Sequence, residues 1–480
     1  MYRGRVTPDR DQETRTFSGT LPPGAPDYVY VPVEVPDGVR ELWVSYTYDR
    51  PSVPPGTPGN ALDIGLFDER GTEVGGEGFR GWSGGARSEF FVRADAATPG
   101  YLPGPLRPGV WHVALGPYTV APQGVSYEVV VTLTYGEPGD AVPEPAYPPG
   151  RVGGRGPGWY RGDCHLHSWY SDGRRTPAEI AARARAAGLD FITSTDHNTP
   201  SSHAHWAAEA GEDLLILLGE EVTTRNGHVL ALGIEPGTFV DWRYRARDAR
   251  RWERFARRIR EAGGLVVPAH PHAPCVGCAW KFGFGEADAV EVWNGPWTPD
   301  DEVALAEWDA GLVASVRDGA EGRPWLPAMG DSDAHRDPDV VGLPQTVVHA
   351  EELSREAILA GLRAGRSYVA ESRSVTVDFG AFTHDRGAGI GERLETDPDT
   401  PVTVRLTAEG APRRTVRFVT DQGVLFTGGP LPVSGSGTVE WRTTAAHAAY
   451  VRAELRHETA VGPLPGVMAA FTNPVFLGRP

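Results

Sequence analysis

Four short segments carry histidine and carboxylate side chains at spacings that suit metal binding. They are Cys164-His165-Leu166-His167 running to Asp172, Thr195-Asp196-His197-Asn198, Gly219-Glu220-Glu221 with His228, and Asp331-Ser332-Asp333-Ala334-His335. Imidazole and carboxylate groups together form the mixed nitrogen and oxygen ligand set that borderline to hard divalent ions prefer. Nine of the 14 histidines lie between His165 and His335. The sequence therefore predicts a metal centre built from several separate segments.

These candidate ligands follow predicted strands in a central region where strands and helices alternate. We expect strands at residues 190–195, 214–223, 228–234, 265–269, 289–293 and 326–329, and helices at 176–188, 247–262, 300–313 and 352–364. The alternation predicts parallel β/α units that close into a barrel, and sites in such barrels gather at the carboxyl ends of the strands. His165 and His167 would end the first strand, where residues i and i+2 point the same way.

The ordered set of segments resembles the PHP (polymerase and histidinol phosphatase) family of metal-dependent hydrolases, and within it the branch that contains carbaryl hydrolase. The resemblance covers residues 158–372 and rests on residues 158–163, His165-x-His167, Ser171-Asp172-Gly173, Thr195-Asp196-His197-Asn198, Gly219-x-Glu221-Val222-Thr223-Thr224 and Gly227-His228. It implies a distorted (β/α)7 barrel that holds two or three divalent ions, with Mn, Zn and Fe all compatible with the ligands. Position 164 is cysteine where the family has an aliphatic residue, and we expect a small hydrophobic role for it.

The resemblance also implies how the ligands divide among the ions. A first ion would be held by His165, His167, Glu221 and Asp333; Glu221 would bridge to a second ion held by His228 and His270; and Asp172, His197 and His335 would hold a third. Three of these assignments chose between neighbours: His270 over His272, Glu221 over Glu220, and Asp333 over Asp331.

Other candidate residues have competing interpretations. Arg225 is a candidate for holding an oxyanion near Glu221. Lys281, Trp293 and Trp297 either line a substrate pocket or serve packing alone. Cys275-Val276-Gly277-Cys278 is predicted to be a plain loop rather than a zinc or redox motif. The His203-x-His205 pair favours a surface or supporting role, and the arginine-rich run at 247–260 favours a solvated helix face over a nucleic-acid patch.

The flanking regions predict a multidomain chain of α/β plus all-β architecture. Of the 480 residues, 1–135 favour an N-terminal β-sandwich, 136–158 a Pro/Gly-rich linker, 159–372 the PHP-type barrel and 373–480 a C-terminal β-sandwich. The formal charge of −17 disfavours nucleic acid and anionic membranes as main partners. The sequence lacks an apolar run of about 18 residues and an apolar signal region, so we expect a cytoplasmic protein without a membrane span. A homo-oligomer is compatible with these features.

The predicted function is a metal-dependent hydrolase that activates water to cleave a small-molecule phosphomonoester or phosphodiester. Glu221, Asp333 and Arg225 are the candidate catalytic residues, the first two through the metal ions. A carboxyl or carbamate ester hydrolase with the same metal site is the alternative hypothesis. A non-catalytic binding protein is the third, and the intact ligand set argues against it.

Overall fold

The regular structure is mostly β. The computed structural model describes residues 5–9, 11–137, 139–140, 144–317, 324–459 and 466–479, and within them it contains 29 strands and four α-helices. Among these described residues, no helix is both long enough and apolar enough to cross a membrane.

The N-terminal region forms two antiparallel sheets that face each other. Their strands are β1 (Arg5–Asp9), β2 (Gln12–Leu21), β3 (Val29–Val35), β4 (Val39–Tyr48), β5 (Ala61–Phe67), β6 (Phe79–Gly84), β7 (Glu89–Arg93), β8 (Gly109–Thr119) and β9 (Val125–Tyr135). The sheet orders are β1-β2-β9-β4-β7 and β3-β8-β5-β6. Alternate residues of β3 and β9 are buried, as expected for strands with one face on a core. Sequence reasoning missed β2, whose mainly polar residues supply few buried side chains.

The central region contains strands β10 (Gly158–Asp163), β11 (Phe191–Ser194), β12 (Leu215–Leu218), β13 (Glu220–Thr224), β14 (Gly227–Leu232), β15 (Leu265–Ala269), β16 (Val290–Asn294), β17 (Ala328–Asp331), β18 (Gln345–Ala350) and β19 (Ser367–Ala370). β10, β11 and β12 pair in parallel, as do β16 and β17. β13, β14 and β15 instead form an antiparallel sheet, and β18 pairs antiparallel to β10.

The predicted (β/α)7 barrel is therefore not confirmed. The strand predicted at 214–223 is broken at Gly219, and its two halves, β12 and β13, belong to different sheets. A tight turn at Arg225–Gly227, where Gly227 has a φ of 114°, reverses the chain from β13 into β14. That reversal replaces the helical crossover which a parallel unit requires.

The four helices lie close to their predicted positions. They are α1 (Pro177–Ala186), α2 (Ala249–Glu261), α3 (Pro299–Arg317) and α4 (Arg355–Arg363). Thr176 and Glu179 form a capping box at the start of α1. α2 buries Trp252, Phe255 and Ile259 on one face and leaves most of its arginines toward solvent.

The C-terminal strands are continuous with the central sheet. They are β20 (Thr376–Phe382), β21 (Gly387–Gly389), β22 (Arg393–Leu394), β23 (Val402–Glu409), β24 (Thr415–Thr420), β25 (Gly423–Pro430), β26 (Gly437–Thr443), β27 (Tyr450–Arg456), β28 (Met468–Thr472) and β29 (Val475–Leu477). β19 pairs with β28, so one sheet runs β12-β11-β10-β18-β19-β28-β27-β24-β25. A second sheet, β21-β20-β23-β26, packs on it across a shared apolar core. The exact domain boundaries stay predictions.

The N-terminal region is docked firmly on the central region. Phe79 stacks on Phe239 with ring centroids 4.0 Å apart, and Trp82 lies 4.7 Å from Trp242. These rings belong to one buried cluster that draws on both regions. Polar contacts reinforce the contact surface, because Arg245 Nε donates to Asp27 at 2.7 Å. The sheet β3-β8-β5-β6 is thereby held beside the strand ends that carry the candidate ligands.

Candidate metal centre

The first ligand group brings together four side chains from three parts of the chain. His165 and His167 follow β10, Glu221 lies in β13, and Asp333 follows β17. Nε2 of His165 lies 3.3 Å from Oε2 of Glu221 and 3.2 Å from Oδ1 of Asp333. Nε2 of His167 lies 3.3 Å and 3.0 Å from the same two oxygens. Two imidazoles and two carboxylates thus converge on one point, as the i, i+2 spacing of the histidines predicts.

The second group uses the other oxygen of Glu221. Oε1 of Glu221 lies 2.9 Å from Nδ1 of His228 and 3.1 Å from Nε2 of His270. His228 lies opposite Thr223 in the β13–β14 pair and opposite Ala269 in the β14–β15 pair, so the antiparallel sheet places it beside both other ligands. Glu221 is therefore shared between two groups through its two carboxylate oxygens.

The third group is more open to solvent. Oδ1 of Asp172 lies 3.6 Å from Nε2 of His197 and 3.4 Å from Nε2 of His335. His167 completes the group, and its ring centroid lies 4.0 Å from that of His335. Asp172 is half-exposed, whereas the side chains of the first two groups are largely buried.

Unsatisfied buried atoms show that the first group fits a cation. Nε2 of His165, Nε2 of His167, Oε2 of Glu221 and Oδ1 of Asp333 are all buried and make no hydrogen bond within the described residues. Buried polar atoms are normally paired, because leaving one unpaired costs about 1–3 kcal/mol. A divalent ion satisfies all four at once, and nitrogen and carboxylate oxygen are suitable donors for it.

Backbone strain is concentrated at the same place. His270 and Asp333 have φ values of 28° and 50°, and Asn198, directly after His197, has a φ of 54°. Non-glycine residues in this left-handed region cost of order 1–3 kcal/mol each and persist where the surroundings impose them. The fold thus maintains these ligands in strained conformations that direct their side chains into the groups.

Supporting residues orient the ligands from behind. Nδ1 of His165 lies 3.0 Å from Oε1 of Glu291, and Oε2 of Glu291 accepts from the backbone N–H of His270 at 2.8 Å. Asn294 Nδ2 donates both to Glu291 and, at 3.3 Å, to Oδ2 of Asp333. One carboxylate therefore aligns ligands of two groups.

The site is strongly coupled electrostatically. Burial opposes protonation of His165, but the carboxylates of Asp333 and Glu291 outweigh it and raise the pKa of His165 well above its ordinary value. Burial likewise opposes ionisation of Glu221, yet the imidazoles of His197 and His165 hold its pKa well below its ordinary range. In the metal-free site the high pKa of His165 therefore favours an imidazolium beside the ionised carboxylate of Glu221, and a cation that displaces the proton keeps positive charge beside that carboxylate.

The three neighbouring residues that were not chosen as ligands make other contacts. His272 pairs with Glu307 at 2.8 Å near the surface, Oε2 of Glu220 accepts from the Val240 N–H, and Oδ1 of Asp331 accepts from the Cys164 N–H. Cys164 itself is fully buried. His203 is also buried, in a short 3₁₀ helix, and His205 is exposed against Tyr170.

The prediction of a plain loop at Cys275 and Cys278 is wrong. The two sulfurs are joined in a disulfide, made possible by a turn at Gly277 that brings their Cα atoms within 5.4 Å. Disulfides persist mainly in oxidising compartments, so this pair gives the predicted cytoplasmic location no support. Trp293 is buried against Trp297, consistent with packing, and neither they nor Lys281 are among the residues that line the cleft beside the metal groups.

A cleft of about 690 Å³ opens over the third group. Its central-region lining includes Asp172, Arg174, His197, Arg225, His228, His335 and Arg336. The N-terminal region supplies the facing wall, with Tyr28, Asp63, Trp82, Ser83 and Tyr118 among its residues. Arg225, the predicted oxyanion contact, lies with its guanidinium 4.4 Å from the Tyr118 ring. Three arginines thus face the space in front of the metal groups.

Two curated proteins are similar to parts of this chain. No family model matches the chain. An uncharacterized protein of Methanocaldococcus jannaschii is 24% identical over 155 residues, which span 28% of this chain and 81% of that protein. A 3',5'-nucleoside bisphosphate phosphatase of Chromobacterium violaceum is 38% identical over 79 residues, which span 15% of this chain and 28% of that enzyme.

One solved structure resembles a larger part of the chain. It is a two-domain protein of Bacteroides vulgatus containing a predicted PHP-like metal-dependent phosphoesterase; the match covers 70% of this chain and 100% of that chain, at 16% identity and a TM-score of 0.36. These matches do not show the carbaryl hydrolase branch of the resemblance, which stays a prediction.

The sequence analysis did not identify the residues that support the ligands or line the cleft without belonging to a ligand motif. Glu291 lies in β16 in a buried run, Val290-Glu291-Val292-Trp293, and a charged residue inside such a run was the signal that could have found it. Asp63, Tyr118 and Trp82 carried no such signal, because only the docking of the two regions brings them to the cleft.

Proposed function

We propose that the protein is a metal-dependent hydrolase of small phosphomonoesters or phosphodiesters. The observation that carries the proposal is the overlap of three ligand groups through Glu221 and His167, at a cleft whose lining includes Arg174, Arg225 and Arg336. Two or three divalent ions, with Mn, Zn and Fe as candidates, fit the donor set. The phosphatase relative supports the same reaction class.

In this proposal the histidines and carboxylates bind the ions, and the arginines bind the substrate. Divalent ions at these groups would polarise a phosphoryl oxygen and lower the pKa of a water molecule to about 7. Glu221 holds two groups at a fixed spacing because each of its oxygens faces a different one. Arg225, assisted by Arg174 and Arg336, would bind the non-reacting phosphoryl oxygens, since guanidinium groups match phosphate geometry.

A carboxyl or carbamate ester hydrolase is the competing interpretation, because the same ligands would serve a carbonyl centre. The arginines in the cleft favour phosphate, which carries more negative charge than a neutral ester. Replacing Arg225 by glutamine tests this preference. A phosphoesterase is expected to lose about tenfold or more in kcat/KM, since a hydrogen bond to a charged group contributes about 1.5–3 kcal/mol. A neutral-ester hydrolase is expected to change little.

The decisive assay uses metal-stripped protein reloaded with Mn or Zn. Substrates are nitrophenyl phosphate, bis(nitrophenyl) phosphate, nitrophenyl acetate and a nitrophenyl carbamate. Glu221→Ala removes the carboxylate shared by two groups. Glu220→Gln is the matched control, because Glu220 is the adjacent buried glutamate and its carboxyl contacts Val240 instead.

We expect metal-dependent phosphate release that Glu221→Ala abolishes and Glu220→Gln retains. Activity confined to the acetate or carbamate would contradict the phosphoesterase proposal and favour the carboxyl or carbamate ester hydrolase. Tight metal binding without turnover of any of the four substrates would favour the binding-protein hypothesis.

A further inference from the structure

Asp63 is the unusual acidic residue of the N-terminal wall. It lies in β5, opposite Gly116 of β8, and lines the cleft over the metal groups. Among the described residues, its carboxylate accepts no hydrogen bond and forms no ion pair. A Cβ atom added at Gly85 would lie 3.6 Å from Oδ1 of Asp63, and one at Gly84 4.0 Å away. These glycines keep the space beside the carboxylate open.

Three acidic residues near the contact between the two regions are paired with arginine. Asp27 binds Arg245, Asp68 binds Arg70, and Asp241 binds Arg243 at 2.6 Å. Asp63 differs although Arg225 lines the same cleft, because the Arg225 guanidinium stacks on Tyr118. Burial raises the pKa of Asp63 to about 6, an effect that Arg225 and His197 only partly offset. An unpaired carboxylate in this setting is costly to the fold, so a role in binding is the better explanation.

The cleft has room for far more than a phosphoryl group. Its volume of about 690 Å³ falls within the range typical of sites that enclose whole organic ligands. Tyr28, Trp82 and Tyr118 supply aromatic surface around Asp63. The wall is also fixed in place, because Trp82 packs on Trp242 in the buried cluster shared by the two regions. A substrate held at the metal groups would therefore extend toward a rigid surface that carries one free carboxylate.

We propose that Asp63 is a specificity-determining residue that accepts hydrogen bonds from hydroxyl or amino groups on the alcohol part of the ester. An ionised carboxylate only accepts hydrogen bonds, so this position selects substrates with donors and disfavours a second anionic group there. The aromatic side chains beside it suit the apolar faces of a sugar or a heterocycle. The inference rests on the proposed function, because it concerns the leaving group of the same ester.

The test compares esters with and without donors on the leaving group. Wild type, Asp63→Asn and Asp63→Ala, all loaded with metal, are assayed on nitrophenyl phosphate, glucose 6-phosphate and adenosine 5'-monophosphate. Asp37→Asn is the control, because it removes the same charge from an exposed turn of the same region. Nitrophenyl acetate and a monoacetylated sugar form a parallel pair for the carboxyl ester alternative.

We expect wild type to prefer at least one donor-bearing phosphoester over nitrophenyl phosphate. Asp63→Ala should then lower kcat/KM for that ester by about tenfold or more, mainly through KM, and leave nitrophenyl phosphate within about twofold. Asp63→Asn should fall between, because it keeps one acceptor oxygen. Asp37→Asn should match wild type.

Three outcomes would overturn the inference: no preference by wild type, equal losses on both kinds of ester, or no loss on either. Failure of the proposed function has a different signature, namely no phosphoester turnover by wild type at all. In that case the acetate pair decides, and a donor preference that depends on Asp63 would sustain the inference on a different ester bond.

Discussion

Nδ1 of His165 lies 3.0 Å from Oε1 of Glu291, on the side of the imidazole away from Asp333 and Glu221. This contact fixes which ring nitrogen faces the first ligand group, so Nε2 is left free for an ion. Glu291 also accepts from the His270 N–H through its other oxygen. The orientation of two ligands thus depends on a residue that is not itself a ligand.

We expect Glu291→Gln to weaken metal binding by about 10–100-fold without abolishing it. Glutamine keeps one acceptor oxygen, so it cannot serve both His165 and the His270 N–H. Chelator competition measures the affinity, and Glu307→Gln is the control because Glu307 pairs with His272 near the surface. Equal metal affinities for the two variants would show that Glu291 does not support the metal ligands.

The shared carboxylate predicts an unequal pattern of metal loss. Glu221→Ala should lose the ions of the first two groups together, because both depend on that side chain. His335→Ala should lose only the ion of the more open third group. Elemental analysis of dialysed protein gives the number of ions per chain. The assignment fails if His335→Ala removes as much metal as Glu221→Ala.

Arg87 links the N-terminal region to the third group. Its Nη1 donates to the Ser171 carbonyl at 2.9 Å, and its Nη2 donates to the Trp169 carbonyl. These carbonyls belong to the loop that presents Asp172, so Arg87→Ala should weaken retention of the third ion and leave the other two. Arg40→Ala, at an exposed position of β4 in the same region, is the matched control for charge. Metal content after graded dialysis distinguishes the two variants, and identical curves would show that the loop holds Asp172 unaided.

The clustering of the candidate ligands could be predicted because the sequence motifs that carry them are local. His-x-His, Gly-x-Glu and Asp-x-His each place ligand types at a strand end, and the fold brings those ends together. The strand topology was harder to predict from the sequence. Whether the strand that contains Glu221 pairs in parallel or antiparallel depends on the break at Gly219 and the turn at Gly227. The residues of the cleft wall could not be predicted for a different reason. In the sequence, Asp63 is one polar residue in a strand. It reaches the cleft only because Trp82 packs on Trp242 and docks the N-terminal region there.

A buried charge network joins the C-terminal sheet to α3. Glu454 binds Arg452 at 2.8 Å and Arg456 at 2.7 Å, and Arg452 also binds Asp309 of α3 at 2.9 Å. Although burial opposes ionisation, the Arg452 and Arg456 guanidinium groups lower the pKa of Glu454 to about 2. Removing one partner of such a network leaves buried charge uncompensated.

We therefore expect Glu454→Gln to destabilise the protein by about 3–5 kcal/mol at pH 7. The stability that Glu454 contributes is present above its unfolded pKa and is lost as the pH falls toward 2, so the difference between variant and wild type should shrink in acid. Urea unfolding measures it. Glu440→Gln, which breaks an exposed pair with Arg405, should cost less than about 1 kcal/mol.

The unpaired carboxylate of Asp63 predicts the opposite effect on stability. Its pKa is raised by burial from 3.8 to about 6, so the folded protein disfavours the ionised form. Above pH 6 this lowers the free energy of unfolding, and the penalty disappears as the pH falls through 6 toward 3.8. Asp63→Asn should therefore stabilise metal-free protein at pH 7.5 by roughly 1–2 kcal/mol, allowing for partial exposure of the side chain. Near pH 4 the variant and wild type should unfold alike. Urea titrations at the two pH values, with Asp37→Asn beside them, measure the difference; a variant less stable than wild type at pH 7.5 would mean that Asp63 supports the fold instead of reserving its carboxylate for a ligand.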